Sequence, residues 1–522
     1  MSKSIKNIWL ISREYAGIAE AGGVKNVTCS LCEGLSCKGI NVTLLIPRYK
    51  CTDFSSVTDY RPNVIPPRRL SVADNDYIVS FDSAYTGRVH IIFVTHQIFS
   101  DKSAVYTYTA EDEEYNQNLQ RGSGFHDALI MDTLFQKAVL EYGKMCGKLP
   151  EIIHCQDAAT AFIPTMARHL PVWSETFKNV KFAVTIHNAG PGYHHEYYSV
   201  EQAAAYTGLS EDLLAQFTNG QGVEPFLAAA KDAALTTVSP WYADELLDSE
   251  NEDTAGLSAA FFHRQTRITG ITNGIDAQRY NPSDKHSSLL PFAFDPVSGD
   301  LRGKYANRDY FIKHYVSETA DFENYSQFTR SGSIIDDGND AVYFCYHGRI
   351  ASQKGLDILA DAAAKLLSLR TDVRFFLVGQ GEAALETRLT ELAFEHRGQC
   401  VYLRGYDRAV SRLSTAAADF IVLPSKFEPC GLEDFIAQLY GTIPVAHATG
   451  GLHKILDGKT GFLYDENTGE ALYQKLNMLT DWVKASRNNV KEIVSTGAQY
   501  VYATYDWSVV IDTHYMPFYN SL

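Results

Sequence analysis

Short apolar runs, each closed by small or polar residues, recur along the chain. Ile8–Ile11, Val42–Ile46, Ile152–Cys155, Phe182–Ile186, Leu235–Val238 and Ile268–Thr272 are strand-like runs of this kind. Their length and composition predict strands of a parallel sheet buried on both faces. Between the first two, Val24, Val27, Leu31 and Leu35 recur at helical spacing, and Lys38-Gly39 closes the helix. This is a βαβ unit with Gly22-Gly23 at its first turn. It lacks the GxGxxG spacing and so does not specify a nicotinamide or flavin fold. The later runs end in polar loops: Gln156-Asp157, His187-Asn188, Ser239-Pro240 and Asn273-Gly274. In an open parallel sheet such loops gather at the carboxyl edge, where ligands bind. Asp157 could equally serve as a helix N-cap, and His187 as a hydrogen-bonded histidine at a strand end.

A second series starts at Val342–Tyr346 and continues through Arg374–Val378, Cys400–Leu403, Phe420–Leu423 and Ile443–Ala446. The chain is organised around its densest part, Ala418–Gly451. There Phe420–Leu423 stops at Pro424-Ser425, and Glu428 follows in a turn closed by Pro429, Cys430 and Gly431. Leu432–Tyr440 is a predicted helix with Gly441 as its stop. Ile443–Ala446 runs into Gly450-Gly451, which is expected to open another helix. Turns this poor in side chains present free N–H groups suited to phosphate. Arg349 and Lys354 sit in the loop after Val342–Tyr346, where their charges would neutralise a diphosphate leaving group. Taken as isolated residues they would be a solvated surface pair. An acid beside a phosphate cradle points to transfer from an activated phosphate ester.

The chain has 522 residues, more than one ordinary domain needs. The pattern predicts an α/β protein of two Rossmann-like, doubly wound parallel-sheet domains facing each other across a cleft. Residues 1–275 form the first, completed by residues 505–522, where Trp507, Tyr515, Phe518 and Tyr519 fall at near-helical spacing. Residues 276–340, with the polar stretches NPSDKHSS and YSQFTRSGSIIDDGND, read as an interdomain linker or mobile insertion. Residues 341–504 form the second domain. A formal net charge of -16 argues against nucleic acid or an anionic membrane as partner. No apolar stretch is long enough for a membrane span or a signal peptide. The nine cysteines fit reduced cytoplasmic thiols. Cys29, Cys32 and Cys37 form a cluster that reads either as helix-packing residues or as a redox or metal site.

These motifs converge on a known pattern. GRIASQKGLD at 348–357, LPSKFEPCGL at 423–432 and YGTIPVAHATGGL at 440–452 are its most specific pieces. HCQDA at 154–158, TIHNAG at 185–190, TTVSP at 236–240, GITNGID at 270–276 and GKYANRDYF at 303–311 support it. The sequence resembles, over nearly its whole length, the bacterial and plant glycogen/starch synthases, retaining glucosyltransferases of the GT-B fold. The resemblance implies transfer of glucose from a nucleotide sugar, ADP-glucose or another, to the non-reducing end of an α-1,4-glucan. No metal or other cofactor is implied, and the second domain is the one that binds the nucleotide sugar. It makes Arg349 and Lys354 the pair that stabilises the departing diphosphate, and Glu428 the acid that contacts the transferred sugar. Thr449, Gly450 and Gly451 match the turn whose backbone approaches sugar and phosphate. His187 and Asp157 match residues lining the glucose pocket, with Asn273 a nearby polar contact. Gly22, Gly23, Cys430, Gly431 and Leu432 complete the implied substrate-binding set.

The chain departs from that pattern at several positions. Glu20 stands where the family has a lysine that approaches the donor phosphates, and Lys25 lies just past the glycines. Ala158-Ala159 replace bulkier residues, Ala228 replaces a lysine, and Glu433-Asp434 replace an uncharged polar pair. Three readings stay open: a glucan synthase with shifted donor or acceptor preference, a related GT-B enzyme with another sugar or a small acceptor, and an impaired relative that binds glucan or nucleotide sugar.

Overall fold

The apolar runs assemble into two parallel sheets. The computed structural model describes residues 5–320, 327–335 and 341–522, and it divides into Met1–Asn273 with Val510–Leu522, and Gly274–Val509.

In the first unit β1 (Asn7–Ile11), β2 (Asn41–Pro47), β3 (Thr58–Val72), β4 (Asn75–Thr86), β5 (Val89–Thr95), β6 (Ile152–Gln156) and β7 (Lys181–Ile186) precede a two-residue hairpin, β8 (Thr218–Asn219) and β9 (Gly222–Val223). The strands β10 (Ala234–Thr237) and β11 (Ile268–Gly270) complete it. The large sheet runs β11-β10-β7-β6-β1-β2-β5-β4-β3. It is parallel from β11 to β5, and β4 pairs antiparallel with both β5 and β3. Ile8, Leu10 and Ile11 have no exposed surface, as a strand covered on both faces requires. The helix Val24–Cys37 buries Val27, Leu31 and Leu35. Because β1 lies between β2 and β6, the winding reverses beside it, and the loops after β1 and β6 open at that switch point.

The C-terminal segment completes this unit, from a later residue than the sequence indicates. Tyr519 Oη shares a 2.8 Å hydrogen bond with His154 Nδ1 on β6. Ile511 fills the space where Gly34 has no side chain, and Lys38 pairs with Asp512 at 2.7 Å. Residues 505–509 belong instead to the second unit. Ile275 N–H donates to Tyr505 O at 2.8 Å, and Trp507 packs on Gly274.

The second unit contains β12 (Phe328–Ile334), β13 (Val342–His347), β14 (Val373–Gly379), β15 (Gln399–Gly405), β16 (Phe420–Leu423), β17 (Ile443–His447) and β18 (Phe462–Tyr464). Their order is β12-β15-β14-β13-β16-β17-β18, parallel except for β12. The switch point lies between β13 and β16.

Residues 276–340 are not the separate linker that their polarity suggests. Leu290, Phe294, Phe311 and Phe328 join the core of the second unit, and β12 extends its sheet. Within the helix Arg302–Phe311, Lys304 Nζ donates to Ala416 O at 2.9 Å and to Thr442 Oγ1 at 2.8 Å. Arg308 Nη2 meets Asp419 Oδ1 at 2.6 Å, both side chains being buried. Lys304 and Arg308 are thus cations docked onto carbonyls, a hydroxyl and a carboxylate, a burial that composition does not reveal. Residues 321–326 and 336–340 of the stretch lie outside the described residues. No described helix is long and apolar enough to cross a membrane.

Asp419 also accepts the Tyr343 N–H at 2.9 Å, so it joins the Arg308 helix to β13. Arg308→Met would leave that carboxylate buried without its cation. The expected cost is about 3–5 kcal/mol of stability, read as a lower urea midpoint for the second unit. An unchanged midpoint would contradict this role.

Candidate active site

In the second unit the site residues stand on loops that leave β13, β16 and β17 at the same edge. The register Phe344↔Phe420 and Leu423↔Ala446 sets those strands side by side. A single 3-10 turn, Ser352–Lys354, leads into the helix Leu356–Leu369. Gly355 joins them with φ of 68°. A Cβ there would lie 1.9 Å from Pro424 O, so only glycine lets the β13 and β16 loops approach. The approach brings Lys354 Nζ to 2.6 Å from Glu428 Oε2, and Ser425 Oγ donates to the same oxygen at 3.0 Å. Arg349 is exposed, with Gln353 Oε1 3.5 Å away. The edge thus holds one cation oriented by a carboxylate and a second facing solvent.

The turn after β17 comes against the same loops. Gly451 N–H donates to Glu428 O at 2.8 Å. A Cβ on Gly451 would sit 2.2 Å from Cys430 O. Thr449, Gly450 and Gly451 therefore lie beside Glu428, Cys430, Gly431 and Leu432. The expected helix is only a short 3-10 turn, Gly450–Lys454, because Ile455 returns to an extended backbone. Glu433 and Asp434, the two unexpected acids, each face a cation. Glu433 lies 2.9 Å from His347, and Asp434 lies 3.0 Å from Lys454. Burial would lower the His347 imidazole, but Glu433 more than offsets that and holds it above its usual value. Burial opposes the Glu433 charge, while His347 and Lys354 keep its carboxyl below the usual range.

In the first unit Asp157 follows β6 with φ of 63° and ψ of 176°. A non-glycine residue reaches that backbone region only under strain, of the kind that clusters at functional sites. Asp157 Oδ1 accepts the His187 N–H at 2.8 Å, so the loops after β6 and β7 are tied together. Burial raises the Asp157 carboxyl to about 7, although the His187 N–H works against it. Burial also lowers the His187 imidazole to about 3, leaving it neutral. Its Nε2 shares a 2.8 Å hydrogen bond with Gln156 Oε1. With the amide oxygen accepting, Nδ1 keeps its lone pair. Asn273 is buried, and among the described residues its Oδ1 has no hydrogen-bond partner.

The glycine turn of this unit differs from expectation. Glu14, buried at the end of β1, accepts the N–H groups of Ala21 at 3.1 Å and Gly22 at 2.5 Å. Tyr106 Oη donates to its other oxygen at 2.7 Å. The Gly22 amide is therefore engaged by the protein's own carboxylate, while Gly23 stays exposed. Glu20 accepts the Gly17 N–H at 2.6 Å and pairs with Lys25 at 3.0 Å. Lys25 thus neutralises the acid at the unexpected position. Sequence reading missed Glu14, whose signal was a charged residue three positions past a buried strand. It also missed the chain Arg13–Asp132–His195, with contacts of 2.7 and 2.6 Å. His195 lines a cavity of about 480 Å³ with Pro191, His194, Glu196 and Asn219. Cys32 is buried, and burial raises its thiol well above the usual value, as the helix-packing reading requires. Among the described residues no group of His, Cys, Asp and Glu could hold a metal ion.

Two doubly wound units, each with its polar groups at the switch point of a parallel sheet, define a GT-B glycosyltransferase. Residues 7–260 match the family described as starch synthase catalytic domain, and residues 341–481 match glycosyl transferases group 1. The glycogen synthase of Thermodesulfovibrio yellowstonii is 28% identical over 482 residues, covering 89% of this chain and 88% of the relative. The glycogen synthase of Rhizobium rhizogenes is 28% identical over 513 residues, covering 93% and 95%. The fold matches the catalytic domain of starch synthase IV from Arabidopsis thaliana, solved with ADP and acarbose. That match has a TM-score of 0.80, 23% identity and 100% coverage of both chains. Over nearly its whole length the chain is similar to the glycogen and starch synthases.

The Asp157 carboxyl links stability to pH. Its folded value is about 7 against 3.8 for the free group, so in that window the native state binds a proton that the unfolded state has lost. Stability therefore falls as pH rises between those values, by up to about 1.4 kcal/mol per unit. Asp157→Asn can still accept the His187 N–H and is expected to flatten that slope in urea titrations. A slope equal to the wild type's would show that Asp157 is already ionised there.

Proposed function

We propose that the chain transfers glucose from ADP-glucose to the non-reducing end of an α-1,4-glucan, with retention at the anomeric carbon. The observation that carries this reading is the Lys354–Glu428 contact of 2.6 Å, with Arg349 exposed on the same loop. A dedicated cation pair beside a half-buried acid suits a diphosphate that gains charge as it leaves. In this reading Arg349 and Lys354 stabilise the departing ADP, and Glu428 orients the transferred sugar. The C1–O bond to the diphosphate breaks, the acceptor hydroxyl forms its bond to C1 on the same face, and its proton passes to the departing phosphate. Asp157, neutral His187 and Asn273 Oδ1 meet sugar hydroxyls. No metal and no cofactor enters the scheme. Cytoplasmic residence is part of the same reading, supported by nine free cysteines.

A second reading, a shifted donor or a weakened enzyme, is favoured by the glycine turn of the first unit. Glu20 and Lys25 cancel there, and Glu14 engages the Ala21 and Gly22 amides. If the first unit contributes no cation to this donor, Glu20→Lys raises the rate with ADP-glucose. If the donor is held differently, Glu20→Lys changes little.

The deciding experiment incubates the protein with glycogen or maltooligosaccharides and either ADP-glucose or UDP-glucose, and follows chain extension and released nucleoside diphosphate. Extension with ADP-glucose is expected, with a loss of at least about a hundredfold in Glu428→Ala. Diphosphate release without extension would move the assignment to another acceptor. Donor binding with neither product would overturn the synthase reading.

A further inference from the structure

Lys454 lies beneath the donor edge without facing it. It is buried, at the end of the short turn Gly450–Lys454. Its Nζ donates to the carbonyl oxygens of Cys430, Gly431 and Gly451, the last two at 3.1 Å. It lies 3.0 Å from Asp434 Oδ1 and 4.5 Å from the centre of the Phe435 ring. Asp434 is fully buried, and burial holds its carboxyl above the usual value although Lys454 works against that. One ammonium therefore binds the turn after β16 to the turn after β17.

We propose that the Lys454–Asp434 pair positions the donor's anion site, by fixing the directions in which the Gly431 and Leu432 amides point. The proposal rests on the nucleotide-sugar reading above. In a trans peptide the C=O and N–H groups point in opposite directions. The Cys430 carbonyl shares its peptide with the Gly431 N–H, and the Gly431 carbonyl shares its peptide with the Leu432 N–H. Drawing both carbonyls onto Lys454 aims both N–H groups to the opposite side. Gly431 has φ of 75° and Leu432 φ of -123°, the succession of opposite-handed residues found in backbone anion nests. Among the described residues neither N–H has an acceptor. The same clamp reaches Glu428, because the Gly451 N–H donates to its carbonyl at 2.8 Å. Asp434 keeps the ammonium charged and in place, since a cation enclosed by carbonyls and an aromatic ring needs a counter-charge.

The test is ADP affinity of the full chain, measured by calorimetry beside thermal melting of the same samples. Lys454→Met keeps the length of the side chain and removes its donors. Its Kd for ADP is expected to rise about tenfold or more, and in the transfer assay the donor KM rises while the acceptor KM holds. Lys454→Met also strands a buried carboxylate, so Lys454→Met/Asp434→Asn is made in parallel. The double variant is expected to recover melting temperature without recovering ADP affinity. A folded single or double variant that binds ADP with the wild-type Kd would overturn the proposal, and a lower melting temperature with unchanged Kd would make the pair purely structural. Wild-type protein that binds ADP but transfers no glucose would overturn the synthase reading and leave this test standing. Wild-type protein with no affinity for ADP would overturn both.

Discussion

The loop edge of the second sheet depends on the parallel pairing of one four-residue strand. All of Phe420–Leu423 is buried, and it is hydrogen-bonded between β13 and β17. Stacked rings of Phe344 and Phe420, 5.4 Å apart, hold the register. The side-chain period of a strand is two, so a slip of one residue would turn every side chain to the other face. It would also shift the start of the Pro424–Gly431 loop by one step against Lys354. The 2.6 Å contact to Glu428 and the Gly355–Pro424 approach tolerate no such shift. The geometry of this edge is a consequence of sheet register.

Given that register, the acids by which this chain departs from the pattern it resembles become intelligible. Glu433 and Asp434 would be costly beside a diphosphate if they stood alone. Each has instead its own cation: His347 at the end of β13, and Lys454 on the turn that follows β17. Glu20 has Lys25 in the same manner. The departures are local pairs, in which an added acid is cancelled where it stands. Such pairs leave the long-range field little changed, because opposite charges at contact distance screen each other beyond a few ångströms.

The sequence made the parallel strands readable because strands covered on both faces are uninterrupted apolar runs. Phe420–Leu423 is recovered with its ends. The β3–β4 ribbon was hidden for the opposite reason. The residues of β3 are largely exposed, Pro62, Pro66 and Pro67 interrupt it, and its register against β4 shifts repeatedly. Residues 302–311 were hidden because Lys304 and Arg308 have the composition of a surface and the burial of a core. The placing of Arg349, Lys354 and Glu428 at one sheet edge, and of Asp157 and His187 at the other, was legible from motif and loop position. Glu14 and Lys454 were not, because their roles lie in contacts with backbone groups that no spacing encodes. A buried lysine on three carbonyls reads, in one dimension, as a solvated lysine.

The two sheet edges differ most in what their amides do. In the first unit Glu14 supplies an internal anion to the Ala21 and Gly22 amides, so an external phosphate would have to displace a buried carboxylate. In the second unit the corresponding role is reversed. Lys454 binds the carbonyl side of the peptides and leaves the N–H groups of Gly431 and Leu432 to a ligand. A carboxylate on amides satisfies a turn, whereas an ammonium on carbonyls prepares one. In the proposed reading a diphosphate would therefore gain its binding energy chiefly from the second unit. The strained Asp157 backbone and the free Asn273 acceptor suit the first unit to uncharged hydroxyl groups.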